Sequence, residues 1–172
     1  MTDAARVPDP LAVVRALPRG SAVILRDYDA PGREELARRL RSACAVKGVF
    51  LIVGADPALA ARIGAKGVHL PNWFHVQNEI PPGMTVTASC HNEAELLRAA
   101  RLGADLALLS PAFPTQSHPG AAALGSDEFR RLARSSPLPV LALGGVTETN
   151  AAALSGPNVA GLAAIGAFVG PA

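Results

Sequence analysis

The chain has 172 residues, of which 49% are apolar and 17% are charged, and its formal net charge is +2. This length supports one domain with a sizeable core, and the apolar share excludes a disordered chain. No apolar run reaches the roughly 18 residues that span a bilayer, and the amino-terminal residues show no signal-peptide pattern. The small charge argues against nucleic-acid binding, and two distant cysteines, Cys44 and Cys90, indicate reduced thiols. We therefore expect one domain over residues 1–172, cytoplasmic and binding neither nucleic acid nor membrane.

Helical segments and short apolar runs alternate along the first half of the chain. Asp9-Pro10 and Asp56-Pro57 each place proline directly after an N-cap residue, which predicts that a helix begins there. Between them, apolar residues at helical spacing predict a longer helix that Gly48 ends. The predicted helices are 10–17, 32–47 and 57–63, and the predicted strands are 22–25, 49–53 and 67–70.

The second half continues this alternation. Asn92 and Glu95 form a capping-box pattern, and Ser126 is the predicted cap of a helix that runs through Ala133. Another helix is predicted near 147–154. The predicted strands are 85–89, 107–109, 140–143 and 161–165. Most of these β segments are uninterrupted apolar runs, which is typical of parallel strands covered on both faces.

Seven parallel strands with intervening helices form either an open doubly wound sheet or a closed barrel. Gly144-Gly145 and Gly166 follow the last two predicted strands, and loops after strands seven and eight commonly bind phosphate in a (β/α)₈ barrel. We therefore predict a compact α/β fold of the (β/α)₈ TIM-barrel type. In that numbering residues 1–3 are the remnant of strand 1, and the closing helix is also missing. The open edge leads to the hypothesis that a second copy covers it in a homodimer.

The most distinctive segment is the loop after the predicted strand 107–109, with the sequence Ser-Pro-Ala-Phe-Pro-Thr-Gln-Ser-His at 110–118. Four other motifs accompany it in order: Leu25-Arg26, Gly67-Val-His-Leu70, Ser89-Cys-His91 and Gly144-Gly145-Val146. In this ordered set the chain resembles the thiamine phosphate synthase and thiazole tautomerase superfamily over nearly its whole length. The resemblance implies a transferase of thiamine biosynthesis. Such a synthase couples an aminopyrimidine diphosphate to a thiazole phosphate and releases pyrophosphate with Mg²⁺.

The resemblance also implies roles for individual residues. Arg26 would hold the diphosphate, and Ser89 would contact the pyrimidine or its diphosphate. His118 stands where the family has a lysine, and is a candidate for stabilising the departing phosphate or transferring a proton. The implied substrate-binding residues are Thr115, Ser117, Gly144, Gly145 and Gly166, with the glycine amides around the thiazole phosphate.

The family's magnesium positions are altered in this chain. The Asn-Asp pair expected after the strand 49–53 is Gly54-Ala55, and the second aspartate falls at Phe74. The lysine expected two residues after Arg26 is Tyr28. A hard cation needs oxygen ligands, so we predict no metal at these positions. Substitute ligands would have to come from Asp27, Asp29 or Asp56.

Three functions therefore stay open: the synthase, a non-catalytic phosphate-binding or regulatory homologue, and a thiazole tautomerase-like enzyme. The tautomerase histidine of the family falls near Pro111, so His118 or His91 would have to replace it. His91 is equally consistent with a structural role at the start of a helix. His69 lies inside an apolar strand and is predicted to be a hydrogen-bonded core histidine. Cys90 is predicted to be a passive thiol.

Overall fold

A computed structural model describes residues 1–75, 80–115, 120 and 122–165 of the chain. Three predicted site residues, Ser117, His118 and Gly166, lie outside the described residues. The described chain divides into two compact units, residues 1–85 with Ile165, and residues 86–164.

The first unit contains three parallel strands and three helices. Its elements are α1 (Pro10–Ala16), β1 (Ala22–Leu25), α2 (Arg33–Lys47), β2 (Phe50–Gly54), α3 (Pro57–Ile63) and β3 (Gly67–Leu70). Strand β2 pairs with both of the others, with Leu25 opposite Val53 and Gly54 opposite His69. All four residues of β3 are buried, as the uninterrupted apolar runs predicted.

Both predicted aspartate caps in this unit are confirmed. The Asp9 side chain accepts hydrogen bonds from the amides of Leu11 and Ala12, and the Asp56 side chain accepts one from Leu59. In each case the following proline occupies the first turn of the helix, where its missing N–H costs nothing. These caps set the start of α1 and α3 at the residues that the sequence indicated.

The amino-terminal residues lie along the edge of β1 that β2 leaves unpaired. The Thr2 amide donates to the carbonyl oxygen of Ile24 at 2.9 Å, and the Arg26 amide donates to Oγ1 of Thr2 at 2.9 Å. Thr2 is only 3% exposed. Residues 1–3 therefore occupy the place where a remnant of strand 1 was predicted. The homodimer stays a prediction.

The second unit contains four parallel strands, the first of which begins at the boundary residue Thr85. Its elements are β4 (Thr85–Cys90), α4 (Glu93–Arg101), β5 (Leu106–Leu109), α5 (Gly125–Ser135), β6 (Val140–Leu143), a 3₁₀ helix (Ala151–Leu154) and β7 (Val159–Ala163). Each strand pairs with the next, with Ser89 opposite Leu108 and Leu109 opposite Ala142. The α5 side chain of Phe129 is fully buried.

Three predictions in the second unit are wrong in detail. Ser126 does not cap α5, which begins at Gly125 without a side-chain hydrogen bond at its cap. Only 151–154 of the predicted helix 147–154 is helical, as a single 3₁₀ turn. The last strand lies at 159–163 rather than 161–165, because Asn158 carries a positive φ of 67° and its carbonyl accepts the Val140 amide, which starts the ladder early.

The predicted α/β class with parallel strands is confirmed in both units. Closure into a complete (β/α)₈ barrel and folding as one domain stay predictions. Within the described ranges no helix is long and apolar enough to cross a membrane; the longest of them, α2, has 15 residues.

Candidate functional site

Arg26 directly follows β1, so its side chain lies at the carboxyl end of a parallel strand, where ligand sites of such sheets form. Its guanidinium lies 2.5 Å from Oδ2 of Asp3, and the side chain is 29% exposed. Asp3 also binds Arg6, whose hydrogen bond is the main reason that the pKa of the Asp3 carboxyl lies below its usual range. The carboxylate that orients Arg26 is therefore supplied by the amino-terminal residues.

A second arginine, Arg33, lies at the carboxyl end of the neighbouring strand β2. It is the first residue of α2, and its guanidinium donates to the carbonyl oxygen of Gly54 at 2.5 Å. The same group lies 3.4 Å from Oδ2 of Asp56, a long contact. Its Nε is buried and has no hydrogen-bond partner among the described residues. Arg33 therefore keeps hydrogen-bonding capacity that the neighbouring residues do not use.

Tyr28 lies beside Gly54, the residue whose carbonyl oxygen Arg33 contacts. Burial raises the pKa of its hydroxyl, and the positive charges of Arg26 and Arg33 both act in the opposite direction, so the phenol is within electrostatic reach of each guanidinium. A Cβ atom on Gly54 would lie 2.9 Å from the Tyr28 ring and 2.9 Å from the carbonyl oxygen of Leu25. Tyr28 therefore fills the space that a side chain at position 54 would need.

Three aromatic side chains extend from this point toward the end of β3. The rings of Tyr28 and Trp73 meet edge to face with centroids 5.2 Å apart, and Phe74 follows at 6.0 Å from Trp73. Trp73 is 56% exposed. We refer to Tyr28, Trp73 and Phe74 as the aromatic cluster. The exposed ring of Trp73 offers an apolar face on which another planar ring can stack.

His69 is completely buried at the carboxyl end of β3. Burial lowers the pKa of its imidazole to about 4, with smaller contributions from the positive amino terminus and Arg26. A neutral, buried imidazole is consistent with the predicted role as a core histidine. His69 is therefore part of the core at the end of β3.

In the second unit, His91 lies directly after β4 and contacts Ser110, which directly follows β5. Nδ1 of His91 is 2.7 Å from the carbonyl oxygen of Ser110 and 3.3 Å from its Oγ. A carbonyl oxygen can only accept, so Nδ1 carries the proton and Nε2 is the nitrogen that can take one up. His91 and Ser110 therefore do not form a base–nucleophile pair. The contact leaves His91 able to shuttle protons through Nε2.

The backbone of His91 also takes part in the start of α4. Glu95 accepts the His91 amide at 2.8 Å, while the side chain of Asn92 accepts the amide of Glu95 at 3.0 Å. The bond from Glu95 to Asn92 confirms the predicted cap at Asn92, while the Glu95 carboxylate binds the amide one residue before the cap. Both interpretations of His91 thus have structural support, because its backbone belongs to the cap and its ring faces the end of β5.

The glycine pair after β6 packs beneath the loop that follows β5. The amides of Ala112 and Phe113 donate to the carbonyl oxygens of Leu143 and Gly144 at 2.8 and 3.0 Å. Gly145 has a φ of +64°, and a Cβ there would lie 2.4 Å from the carbonyl oxygen of Pro114. Glycine is required at position 145 because any side chain would be strained and would push the loop away. The loop and the glycine pair therefore form one packed structure.

An asparagine further along the chain holds this turn in place. The Asn150 side chain donates to the carbonyl oxygen of Gly145 at 2.9 Å, and its Oδ1 accepts the Thr147 amide at 2.8 Å. The Ser110–Pro111 peptide bond of the facing loop is cis. Asn150 thus orients the backbone of the predicted phosphate-binding glycine.

The other predicted site residues in this unit lie close to these strand ends. Ser89 is half-buried near the end of β4, and Thr115 lies in the loop after β5, directly before residues 116–119, which the structure does not describe. Cys90 is 1% exposed, and burial, followed by the charge of Glu95, raises the pKa of its thiol to about 12. The thiolate is the reactive form, so this cysteine is passive, as predicted.

Sequence reasoning missed four residues that shape the site: Asp3, Arg33, Ser110 and Asn150. A signal existed for Asp3, because residues 1–3 were identified as the end of a strand beside the one carrying Arg26. Arg33 and Asn150 act across turns of the backbone, and nothing in their local sequence shows which carbonyl oxygen they reach.

Comparison with known proteins agrees with this architecture. A family model described as thiamine monophosphate synthase matches residues 2–168. The thiamine-phosphate synthase of Thioalkalivibrio sulfidiphilus is 33% identical over 86% of this chain and 74% of its own length. That of Pyrococcus furiosus is 31% identical over 99% of this chain and 85% of its own length.

A solved structure also matches. The thiamine phosphate pyrophosphorylase of Pyrococcus furiosus superposes with a TM-score of 0.80 at 30% identity, covering 95% of this chain and 82% of that one. These similarities support the predicted synthase function in thiamine biosynthesis. By its family model, its relatives and its fold, the chain belongs to the thiamine monophosphate synthase family.

Proposed function

We propose that this protein joins an aminopyrimidine diphosphate to a thiazole phosphate and releases pyrophosphate. The observation that carries this proposal is the position of Arg26 at the carboxyl end of β1, with its guanidinium oriented by Asp3. In this reaction the carbon–oxygen bond to the diphosphate breaks and its electron pair leaves on oxygen, so negative charge grows on the leaving group. A fixed guanidinium stabilises that charge in the transition state more than in the ground state.

The second unit has features suited to the other substrate. The amides of Gly144 and Gly145 would bind the thiazole phosphate, next to the loop that carries Thr115 and, outside the described residues, Ser117. Backbone N–H groups bind phosphate well because they need no desolvation of a side-chain charge and are held rigidly. Asn150 supports this role, since it holds the carbonyl of Gly145 in place. Gly166, Ser89 and His118 complete the proposed set.

The magnesium ion that the family implies does not fit the residues at its expected positions. Gly54 and Ala55 offer no side-chain oxygen, Phe74 is aromatic, and Tyr28 occupies the space beside Gly54. Two of the three substitute candidates are engaged: Asp56 caps α3 and contacts Arg33, and Asp27 accepts the Ala4 amide. Among the described residues, no group of three or more His, Cys, Asp or Glu side chains could hold a metal ion.

The proposal is tested by measuring pyrophosphate and thiamine phosphate formation from the two substrates. We expect turnover in the wild type and a loss of about 100-fold in Arg26→Ala, because one preorganised donor to the leaving group is removed. The matched control is Arg38→Ala. Arg38 is 53% exposed on α2 and pairs with Glu34 one turn earlier, so its loss should leave turnover unchanged.

A second function is favoured by the altered magnesium positions: a homologue that binds phosphorylated ligands without turnover. Titration calorimetry with thiazole phosphate, with and without the pyrimidine diphosphate, separates the two. Binding without product indicates the non-catalytic protein, and pyrophosphate release that disappears in Arg26→Ala indicates the synthase. If neither compound binds, both functions are wrong.

A further inference from the structure

Ala55 stands where the resemblance implies an aspartate that binds magnesium. Ala55 has a positive φ of 55°, a conformation that aspartate and asparagine tolerate better than alanine. Its amide donates to the carbonyl oxygen of His69 at 2.9 Å, which ties the end of β2 to the end of β3. The backbone thus keeps a shape suited to a polar residue, while the side chain that would bind a cation is absent.

Two positively charged side chains, Arg26 and Arg33, lie at the carboxyl ends of β1 and β2. Arg26 follows β1 and Gly54 ends β2, and the paired residues Leu25 and Val53 place these two positions side by side. Neighbouring strands lie about 4.8 Å apart, so the guanidinium of Arg33 on the Gly54 carbonyl lies close to the loop that begins at Arg26. A Cβ atom on Gly54 would lie 2.9 Å from the Tyr28 ring and 3.7 Å from Cα of Arg26, so Tyr28 lies where the two strand ends meet.

The existing contacts of Arg26 and Arg33 leave part of their hydrogen-bonding capacity open. Arg26 has Asp3 as a close partner, but Asp3 is shared with Arg6. Arg33 contacts Asp56 only at 3.4 Å, and its buried Nε has no partner within the described ranges. Arginine remains protonated at all physiological pH values and binds phosphate oxygens in a bidentate manner. This edge of the first unit is therefore suited to an anion rather than to a cation.

We propose that Arg26 and Arg33 together hold the diphosphate directly, so that this protein binds it without Mg²⁺. Arg33 is then a further substrate-binding residue, and the aromatic cluster faces the ring that carries the diphosphate. The identity of that ring rests on the proposed function. The binding of diphosphate itself does not depend on turnover.

Inorganic pyrophosphate is the probe that tests this. Titration calorimetry is performed on the full chain in buffer with EDTA and in buffer with excess Mg²⁺. We expect binding in EDTA, and an affinity that Mg²⁺ changes by less than about threefold, since the two guanidinium groups supply the positive charge. Binding that appears only with Mg²⁺ would overturn the proposal.

Variants of Arg33 separate a binding role from a structural one. Arg33→Gln should weaken pyrophosphate binding in EDTA by about tenfold or more, and Arg33→Lys should restore part of it. Arg38→Ala, on the same helix, should bind as the wild type does. Circular dichroism on each variant identifies folded samples. A folded Arg33→Gln protein that binds pyrophosphate as tightly as the wild type would refute the role of Arg33.

The reverse substitution provides an independent test. The double variant Ala55→Asp/Phe74→Asp places carboxylates at both positions where the family has them. We expect its pyrophosphate binding to be strengthened by Mg²⁺ at least tenfold more than that of the wild type, because hard oxygen ligands are restored. An equal response of the two proteins to Mg²⁺ would count against the proposal.

The two proposals fail in distinguishable ways. If the wild type makes thiamine phosphate only with Mg²⁺ and binds pyrophosphate only with Mg²⁺, the proposed function stands and the metal-independent site is wrong. If pyrophosphate binds in EDTA in an Arg33-dependent manner but no product forms, the anion site stands and the proposed synthase activity is wrong.

Discussion

The buried imidazole of His69 should make the stability of this protein depend on pH in a defined window. Its pKa is lowered from 6.5 to about 4 in the folded state, so below pH 6.5 the unfolded chain takes up a proton that the folded chain does not. The folded state therefore loses stability as the pH falls from 6.5 toward 4, and His69 causes no further loss below pH 4. At about 1.4 kcal/mol per pKa unit, the limiting penalty is about 3 kcal/mol, of which about 2 kcal/mol is reached at pH 5.

The assay is urea unfolding followed by circular dichroism, at several pH values between 8 and 4, on the wild type and His69→Gln. The variant is less stable overall, but its free energy of unfolding should fall by about 3 kcal/mol less than that of the wild type across this range. His75→Gln, which changes an exposed histidine, should retain the wild-type dependence. Parallel curves for the wild type and His69→Gln would refute the reasoning.

Three other predictions concern the strand ends. Gly145→Ala should destabilise the protein more than Gly103→Ala. Both glycines have a positive φ, so either substitution costs about 1–2 kcal/mol, but only a Cβ at position 145 would lie 2.4 Å from a carbonyl oxygen. Equal losses of unfolding free energy in urea would contradict this. Ala55→Gly should stabilise the protein by about 1 kcal/mol by relieving its positive φ, and a lower melting temperature would contradict this. Asp3→Asn should cost about 1–3 kcal/mol at neutral pH, and the difference should shrink as the pH falls through the lowered pKa of Asp3, because the wild-type carboxylate then becomes protonated; a cost at neutral pH well below 1 kcal/mol in urea unfolding would contradict this.

Local signals in the sequence predicted the regular elements well. Asp9 and Asp56 cap helices as expected, because a cap acts within three residues and its partners are neighbours in the chain. The strands at 22–25, 67–70 and 140–143 have the predicted bounds, since continuous apolar runs are enough to indicate buried parallel strands. Ser126 shows the limit of this reasoning, because a suitable residue at a helix start need not make the hydrogen bond.

The site was predictable only in part. Arg26, Gly144 and Gly145 were identified from motifs, and they lie at the carboxyl ends of their strands. The partner of Arg26 was not, because Asp3 is 23 residues away and reaches it only when residues 1–3 lie beside β1. The tautomer of His91 likewise depends on a carbonyl 19 residues further along the chain.

The family, the order of elements and the loss of the magnesium carboxylates all follow from the residues alone, because each is a matter of which side chain stands where along the chain. What occupies the vacated space does not follow from them. Tyr28 fills the volume beside Gly54, and Arg33 reaches the Gly54 carbonyl from the next helix, because strand pairing brings the ends of β1 and β2 together. Contacts of this kind depend on register and packing between distant segments, which local propensities do not encode. Two arginines thereby lie at the strand ends where the resemblance implies a cation.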